Sequence, residues 1–215
     1  MLRFLYTIAL ALFCVSCRNS SQEQVSKYYE DGMAKPVIAL SPLIDTTSFE
    51  IPWSLSEEFS DLVFNRLYHK GSLFLSGHNR DPLSSSENPF GTDISWIKKQ
   101  FSPNEFVVFL ELVEHDMIPV TKSSDPSENS SNLNLAVRVR IVDIRGTTPK
   151  IVLQELIRES YYIGRTLIPF NYSQLPWGTD EYATSPMALA HASLIKNISE
   201  RINDYILLAK SRWNG

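Results

Sequence analysis

The chain has 215 residues, which fits one domain with short appendages, because domains usually contain about 100 to 200 residues. Hydrophobic residues make up 43% of the chain and charged residues 20%, a composition that supports a buried core and excludes global disorder. Twenty basic against 24 acidic residues give a net charge of −4, so we expect no nucleic-acid partner. The two cysteines, Cys14 and Cys17, lie too close together to stabilise a domain through a disulfide bond, and two cysteines alone cannot supply the ligands of a structural zinc site.

The first residues are typical of an export signal. Arg3 precedes an apolar run, Phe4–Phe13, which is too short to span a bilayer but has the length of a signal-peptide core. Ser16 and Cys17 follow, and this pattern resembles the lipobox of bacterial lipoproteins, in which a small residue precedes a cysteine. The resemblance implies cleavage between Ser16 and Cys17 and acylation of Cys17, with palmitate among the chains. Cys14 follows a bulky residue and is therefore the weaker candidate.

The lipobox resemblance implies a domain plan and a location. Residues 1–16 are then the signal peptide, and residues 17–35 are the acylated Cys17 with a polar, flexible tether. An Asp directly after the acylated cysteine would resemble an inner-membrane retention signal, but this chain has Arg18 there. The default location is therefore the outer membrane, with the protein facing the periplasm. Two other processing routes stay open, an ordinary cleaved secretory signal and an uncleaved N-terminal anchor.

The folded part is expected to begin with a strand, a helix and a second strand. Pro36–Ile44 is a short apolar run bounded by prolines, which favours a strand buried on both faces. Ser54 and Glu57 form a capping box that begins a helix, and Gly71 is placed to end it. Ser72–Ser76 is then predicted to be a short strand.

The middle of the chain predicts a short helix and three further strands. Asp93 is expected to cap the helix, and Glu105–Val113 is apolar enough to be a central strand. A polar insert, Thr121–Asn132, precedes the clearest alternation in the chain, Leu133–Ile141, which predicts a half-buried strand. After a turn, Ile151–Ile163 is predicted to return beside that strand as a long hairpin.

The last part of the chain predicts a packed loop and a long helix. The loop covers 164–184, and Ser185 with Pro186 gives the N-cap and first position of a helix. An apolar stripe recurs along that helix at three- and four-residue spacing, which predicts that it packs on the sheet. The stripe consists of Leu194, Ile195, Ile198, Ile202, Tyr205 and Ile206. We therefore expect a single globular α/β domain over 36–215.

The order of these elements resembles a known group of proteins. The residues that carry the resemblance are Pro36–Pro42, a helix with Leu62 and Leu67, Glu105–Leu110, and Leu135–Val142 running into the turn Asp143–Thr147. They are similar to periplasmic lipoproteins related to the curli-secretion channel subunit and to the penicillin-binding-protein activators. This resemblance implies a three-layer α/β sandwich with a mixed sheet, akin to the N-terminal domain of the Tol translocation protein TolB.

No recognised catalytic motif is visible in the sequence, and we expect no catalytic residue, metal ligand or cofactor. His115 beside Asp116 is the most suggestive pair, since a histidine at a strand end could act as a base or a ligand. We favour the interpretation of His115 as a surface residue in a turn. Glu111 and Glu114 could pair as a general acid and base, but their spacing on a strand predicts that they face opposite sides.

The sequence therefore favours a non-enzymatic envelope module for assembly, secretion or enzyme activation. Its expected partners are the bilayer, through acyl chains on Cys17, and an unidentified envelope protein or a second copy. Phe170, Tyr172 and Trp177 are the candidate partner contacts, because aromatic anchors dominate protein interfaces. Alternatively, these rings simply cover the edge of the sheet. A second interpretation is an exported hydrolase of cell wall or glycan, which needs a carboxylate or Ser/His constellation in a cleft.

Overall fold

A computed structural model describes residues 26–78, 83, 87–120, 130–164 and 172–212. Its elements in chain order are β1 (Val37–Leu40), β2 (Ile44–Asp45), α1 (Leu55–Lys70), β3 (Phe74–His78), α2 (Ser95–Phe101), β4 (Phe106–Pro119), β5 (Ser131–Asp143), β6 (Lys150–Ile163), a 3₁₀ turn (Tyr172–Gln174), α3 (Asp180–Ala183) and α4 (Pro186–Ser211). Ser16, Cys17, Phe170 and most of the insert 121–132 lie outside the described residues.

The strands form one mixed sheet, as predicted, but there are six of them and not five, because the single strand predicted at Pro36–Ile44 is divided into β1 and β2. Its order is β3-β1-β4-β5-β6, and β2 also pairs with β4. The pairs β1–β3, β1–β4 and β2–β4 are parallel, whereas β4–β5 and β5–β6 are antiparallel. Parallel neighbours need a crossover, which α1 supplies between β1 and β3. The three long strands β4, β5 and β6 form an antiparallel meander that contains the predicted β5–β6 hairpin.

Helices cover both faces of this sheet and give the predicted three layers. The larger core lies between the sheet and the pair α1 and α4. The smaller core lies under α2, where Ile97 and Phe101 pack against Val107 and Phe109 of β4. Because β1 and the first half of β4 are buried on both faces, their sequences read as continuous apolar runs.

The two long helices begin where their caps predict. The Ser54 hydroxyl accepts a hydrogen bond from the Glu57 amide at 3.2 Å, and Gly71 ends α1 with a left-handed φ of 69°, a conformation that favours glycine. The Ser185 hydroxyl accepts from the Ala188 amide at 3.2 Å, one turn into α4. The predicted stripe of α4 is buried at Leu194, Ile195, Ile198, Ile202 and Ile206, and Tyr205 is partly buried.

The boundaries of β3, α2 and β4 differ from the prediction. β3 lies at Phe74–His78, two residues later than expected, and α2 begins after Ile94, although Asp93 Oδ1 does accept from the Ser95 amide at 2.9 Å. β4 continues six residues beyond Val113, to Pro119. The charged residues in this extension break the apolar run in the sequence but pair in register with β5.

Part of the predicted tether is folded onto the domain. The segment 26–35, which we call the N-terminal turn, closes on itself through a bridge between Tyr28 and Ala34. The Tyr29 hydroxyl donates to the Ser72 carbonyl oxygen at 2.6 Å, and Lys35 is only 8% exposed. The folded part therefore already includes Ser26, ten residues before the predicted boundary at Pro36.

No helix in the described ranges is long and apolar enough to cross a membrane. In the same ranges, no group of three or more His, Cys, Asp or Glu side chains is arranged to hold a metal ion.

Candidate functional site

Five polar side chains meet inside the domain where α1, β4, α3 and α4 converge. We call this set the buried polar cluster; it consists of Trp53, Glu58, His115, Tyr182 and His191. His115 and His191 are 0% exposed, and Glu58 is 1% exposed. Polar groups so far from solvent are costly unless they bond to one another, so the bonding pattern of the cluster determines what it can do.

Glu58 is the centre of the cluster. Its Oε1 accepts from the Tyr182 hydroxyl at 2.6 Å and pairs with Nδ1 of His191 at 2.8 Å. Its Oε2 accepts from Nε1 of Trp53 at 2.8 Å. Glu58 also lies in the first turn of α1, where the helix dipole favours a negative charge. The carboxylate is thus held by three donors from three different parts of the chain.

The two histidines form a direct pair. Their Nε2 atoms lie 2.9 Å apart, so one ring must donate the proton that the other accepts. Nδ1 of His115 makes no hydrogen bond to another residue of the described chain. Aromatic rings enclose the pair, with Phe49 at 4.2 Å from His115 and Phe59 at 4.8 Å from His191, measured between ring centroids.

Burial and neighbouring charge move the pKa values within the cluster. Burial, together with the nearby charge of His191, lowers the pKa of His115 from its ordinary 6.5 to about 3, although its own carbonyl and Glu58 act in the opposite direction. Burial tends to raise the pKa of Glu58, but bonds and charge from His191, with bonds from Tyr182 and Trp53, hold it below the usual value. Burial and the Glu58 charge raise the pKa of Tyr182. At neutral pH, His115 is therefore neutral and Glu58 is a carboxylate.

This arrangement resembles an acid–base relay, but its position does not suit catalysis. A relay needs a substrate within hydrogen-bond distance of its terminal group, and the terminal group here, His115, is fully enclosed. Cavities lined by described residues occur elsewhere in the domain. One, of about 590 Å³, lies between α1 and α4, and another, of about 300 Å³, lies beside β1 and β3. What the cluster does is join four elements through hydrogen bonds.

The cluster also fixes the chain that leads to Trp177. The Thr179 hydroxyl donates to the Pro176 carbonyl oxygen at 2.9 Å and accepts from the Tyr182 amide at 3.2 Å. Tyr182 is in turn bonded to Glu58 and its ring lies 4.9 Å from Trp53, edge to face. The backbone on either side of Trp177 is therefore linked to the interior of the domain, whereas Trp177 itself is only partly buried.

The other predicted contact residues differ from Trp177. Tyr172 packs against the main core, and burial raises its pKa despite hydrogen bonds with the Met187 backbone and the Ser185 side chain. Its ring therefore belongs largely to the packing beneath the N-terminus of α4. Phe170 lies outside the described residues, so the structure gives the positions of two of the three predicted contact residues, Tyr172 and Trp177.

The interpretation of His115 as a surface residue in a turn is wrong. His115 lies within β4, where it is opposite Leu135 of β5 and faces the main core. Asp116 points to the other face and is exposed, so the two side chains do not form a pair. The charged neighbours Glu114 and Asp116 suggested that the strand ends at His115. The strand in fact continues, and these two residues lie on its solvent side.

The expectation for Glu111 and Glu114 is also wrong in its geometry. A bulge between Leu112 and Glu114 shifts the register and brings both carboxylates to the same face of the sheet. Each then pairs with an arginine, Glu111 with Arg138 at 2.9 Å and Glu114 with Arg158 at 3.0 Å. The two glutamates are thus members of cross-strand ion pairs and not an acid–base pair.

Sequence reasoning missed Glu58, Tyr182 and His191. A signal existed for two of them, because Glu58 follows Leu55 by three positions on the apolar face of α1, and His191 precedes Leu194 by three on the stripe of α4. A polar residue at such a position must find a buried partner. The partner itself could not be inferred, since these helices are more than a hundred residues apart in the chain.

Solved structures with a similar fold were found. The chain resembles the hypothetical protein CT253 from Chlamydia trachomatis, with 26% identity, a TM-score of 0.65, and coverage of 80% of this chain and 98% of that one. A weaker likeness is to PelC from Paraburkholderia phytofirmans, solved as a dodecamer, with 9% identity, a TM-score of 0.41, and coverage of 77% of this chain and 86% of that one. Another is to lipoprotein GNA1162 from Neisseria meningitidis, with 12% identity, a TM-score of 0.34, and coverage of 77% of this chain and 99% of that one.

Among curated proteins, no sequence matches the chain. A family model does match, over residues 24–210. The matched range contains the whole buried polar cluster, the N-terminal turn from Ser26 and nearly all of α4. This chain therefore belongs to the family of unknown function DUF7499.

Proposed function

We propose that this protein is a lipid-anchored module of the bacterial cell envelope that works by contact and not by catalysis. The anchor in this proposal is Cys17, which is acylated, with cleavage between Ser16 and Cys17. The default location is the outer membrane, with the domain facing the periplasm. Each acyl CH₂ buried in a bilayer contributes about 0.8 kcal/mol, and more than one chain gives stable attachment. The partner is an envelope protein or a second copy of the chain, and no cofactor takes part.

One observation carries the proposal. The buried polar cluster uses its acid–base groups to hold α3 against α1 and α4, with both histidines fully enclosed. A catalytic site exposes its reacting group to substrate, whereas a contact surface needs a rigid backbone under a partly exposed side chain. The Pro176–Tyr182 segment has the second property, since it is bonded to the cluster and presents Trp177. We therefore place the partner contact at Trp177.

The experiment is crosslinking of the full-length protein in its native envelope, comparing Trp177→Ala with the unaltered protein. Trp177→Ala should abolish the crosslinked species and leave the thermal melting transition unchanged. Tyr162→Ala is the matched control, because Tyr162 is an exposed aromatic residue, 68% accessible, on β6. Loss of crosslinking with both variants, or with neither, contradicts a specific contact at Trp177.

The hydrolase interpretation is tested with the same purified protein. The relay-like order of Tyr182, Glu58, His191 and His115 is the observation that favours it. We expect no turnover of purified peptidoglycan or ester substrates by the protein. Turnover that is lost in His115→Asn, a variant that keeps a donor and an acceptor, would overturn the non-catalytic proposal.

A further inference from the structure

The N-terminal turn exposes two large hydrophobic side chains on a rigid support. Tyr28 is 55% exposed and Met33 is 64% exposed, and the bridge between Tyr28 and Ala34 holds the two arms of the turn together. Gly32 has a left-handed φ of 83°, and its amide donates to the Tyr29 carbonyl oxygen at 3.0 Å. Exposed apolar groups on a fixed backbone are a feature of binding surfaces.

The turn is attached firmly to the domain. Besides the bond from Tyr29 to Ser72, the Lys35 ammonium lies 5.5 Å from the Tyr29 ring centre and the Lys27 ammonium lies 5.7 Å from that of Phe74. The position of the turn therefore fixes the position of Tyr28 and Met33 relative to the whole sheet.

The turn is also the described part of the chain that follows Cys17 most closely. Ser26 is nine positions after Cys17 in the sequence, and nine residue steps span at most about 31 Å when the chain is fully extended. If Cys17 carries the acyl chains, Tyr28 and Met33 must lie within a few nanometres of the bilayer surface.

The chemistry of the turn matches the interface of a bilayer. Tyrosine is enriched at the level of the lipid headgroups, where its ring is buried and its hydroxyl is hydrated, and methionine is a flexible apolar side chain. Lys27 and Lys35 balance Glu30 and Asp31 in charge, so the turn has no net charge that would require anionic lipid.

We infer that the N-terminal turn docks on the lipid bilayer through Tyr28 and Met33, so that the domain stands on the membrane in one orientation. This inference rests on the proposed lipid anchor at Cys17. The acyl chains supply the affinity, and the two side chains set which end of the domain faces the lipid. That end carries the turn and Ser72, and the end with Trp177 and the buried polar cluster points away.

The structure offers a matched control position, Leu189, near the N-terminus of α4. Leu189 is 59% exposed, similar to Met33. Ser72, which accepts from Tyr29, also donates to Asn203 of α4. Leu189 precedes Asn203 by fourteen residues, which is about 21 Å along a helix at 1.5 Å per residue. A probe at Leu189 should therefore lie far above a bilayer that touches Met33.

The experiment uses the full-length lipoprotein with a single introduced thiol, Met33→Cys or Leu189→Cys, labelled with an environment-sensitive fluorophore. Each labelled protein is reconstituted into phosphatidylcholine vesicles with and without lipids brominated on the acyl chain. Intact mass of the mature N-terminus reports acylation of Cys17, and the melting transition reports that each variant is folded. We expect strong quenching and a blue shift at position 33 and neither effect at position 189.

Each outcome decides between the two proposals. Acylated, vesicle-bound protein in which positions 33 and 189 are equally unquenched would overturn docking and leave the lipid anchor intact. Equal quenching at both positions would show that the domain has no preferred orientation and would also overturn docking. A mature protein without acyl chains on Cys17 would overturn the anchor and the docking inference together.

Discussion

At the scale of single residues, the buried polar cluster couples the stability of the domain to pH. His115 is neutral in the folded protein, with a pKa of about 3, whereas in the unfolded chain it has an ordinary pKa near 6.5. Below about pH 6.5 the unfolded chain therefore binds a proton that the folded protein rejects, and stability falls as the pH falls towards 3. The lowered pKa of Glu58 acts in the same direction at more acidic pH.

The first prediction follows from this coupling. Between pH 6 and pH 4, the free energy of unfolding should fall by at most about 1.4 kcal/mol per pH unit through His115 alone. His115→Asn should remove this part of the slope, because asparagine does not titrate. Urea unfolding at several pH values measures the slope for both proteins. Equal slopes for the two proteins would show that His115 is not held neutral in the fold.

The second prediction concerns the bond between Tyr182 and Glu58. Tyr182→Phe removes the hydroxyl that donates to Oε1 while keeping the ring that packs on Trp53. Because the acceptor is a buried carboxylate, the loss should cost about 1.5 to 3 kcal/mol of stability. Tyr162→Phe, at the exposed Tyr162 on β6, should change stability by less than about 0.5 kcal/mol. Equal melting temperatures for the two variants would contradict the role given to the cluster.

At the scale of elements, α4 is predicted to be part of the core and not an appendage. Ile198 and Ile202 are 0% exposed, and the helix contacts α1, β5 and β6. Ile198→Ala should therefore cost about 2 to 5 kcal/mol, measured by chemical unfolding. Leu189→Ala, on the exposed side of the same helix, should cost far less. Deletion from Ser185 onward that leaves the melting temperature unchanged would contradict this placement.

The elements also show how far the sequence determines the structure. The start of α1 at Ser54, the start of α4 at Ser185 and the β5–β6 hairpin were predictable, because caps, alternation and turns are local signals. The extension of β4 was missed because Glu114 and Asp116 end the apolar run in the sequence. In the structure these two residues lie on the solvent face of a strand that continues to Pro119. The cluster was missed because most of its hydrogen bonds join residues that are far apart in the sequence, such as Glu58 and His191. Tertiary packing determines which distant residues meet.

At the scale of the whole molecule, the two proposals give the domain two distinct ends. The N-terminal turn, nine residues after Cys17, is the end that meets the bilayer. The Pro176–Tyr182 segment with Trp177 lies near the start of α4, whose 26 residues extend about 39 Å. A lipid anchor at one end and a contact residue towards the other would present Trp177 to a partner beyond the membrane surface.

The lipid anchor on Cys17 is the claim on which this arrangement depends. Labelling of cells with radioactive palmitate, followed by isolation of the protein, tests it most directly, with Cys17→Ala and Cys14→Ala compared side by side. Cys17→Ala should abolish the label and leave the precursor unprocessed, whereas Cys14→Ala should be labelled and processed like the unaltered protein. Label that persists in Cys17→Ala and disappears in Cys14→Ala would contradict the account.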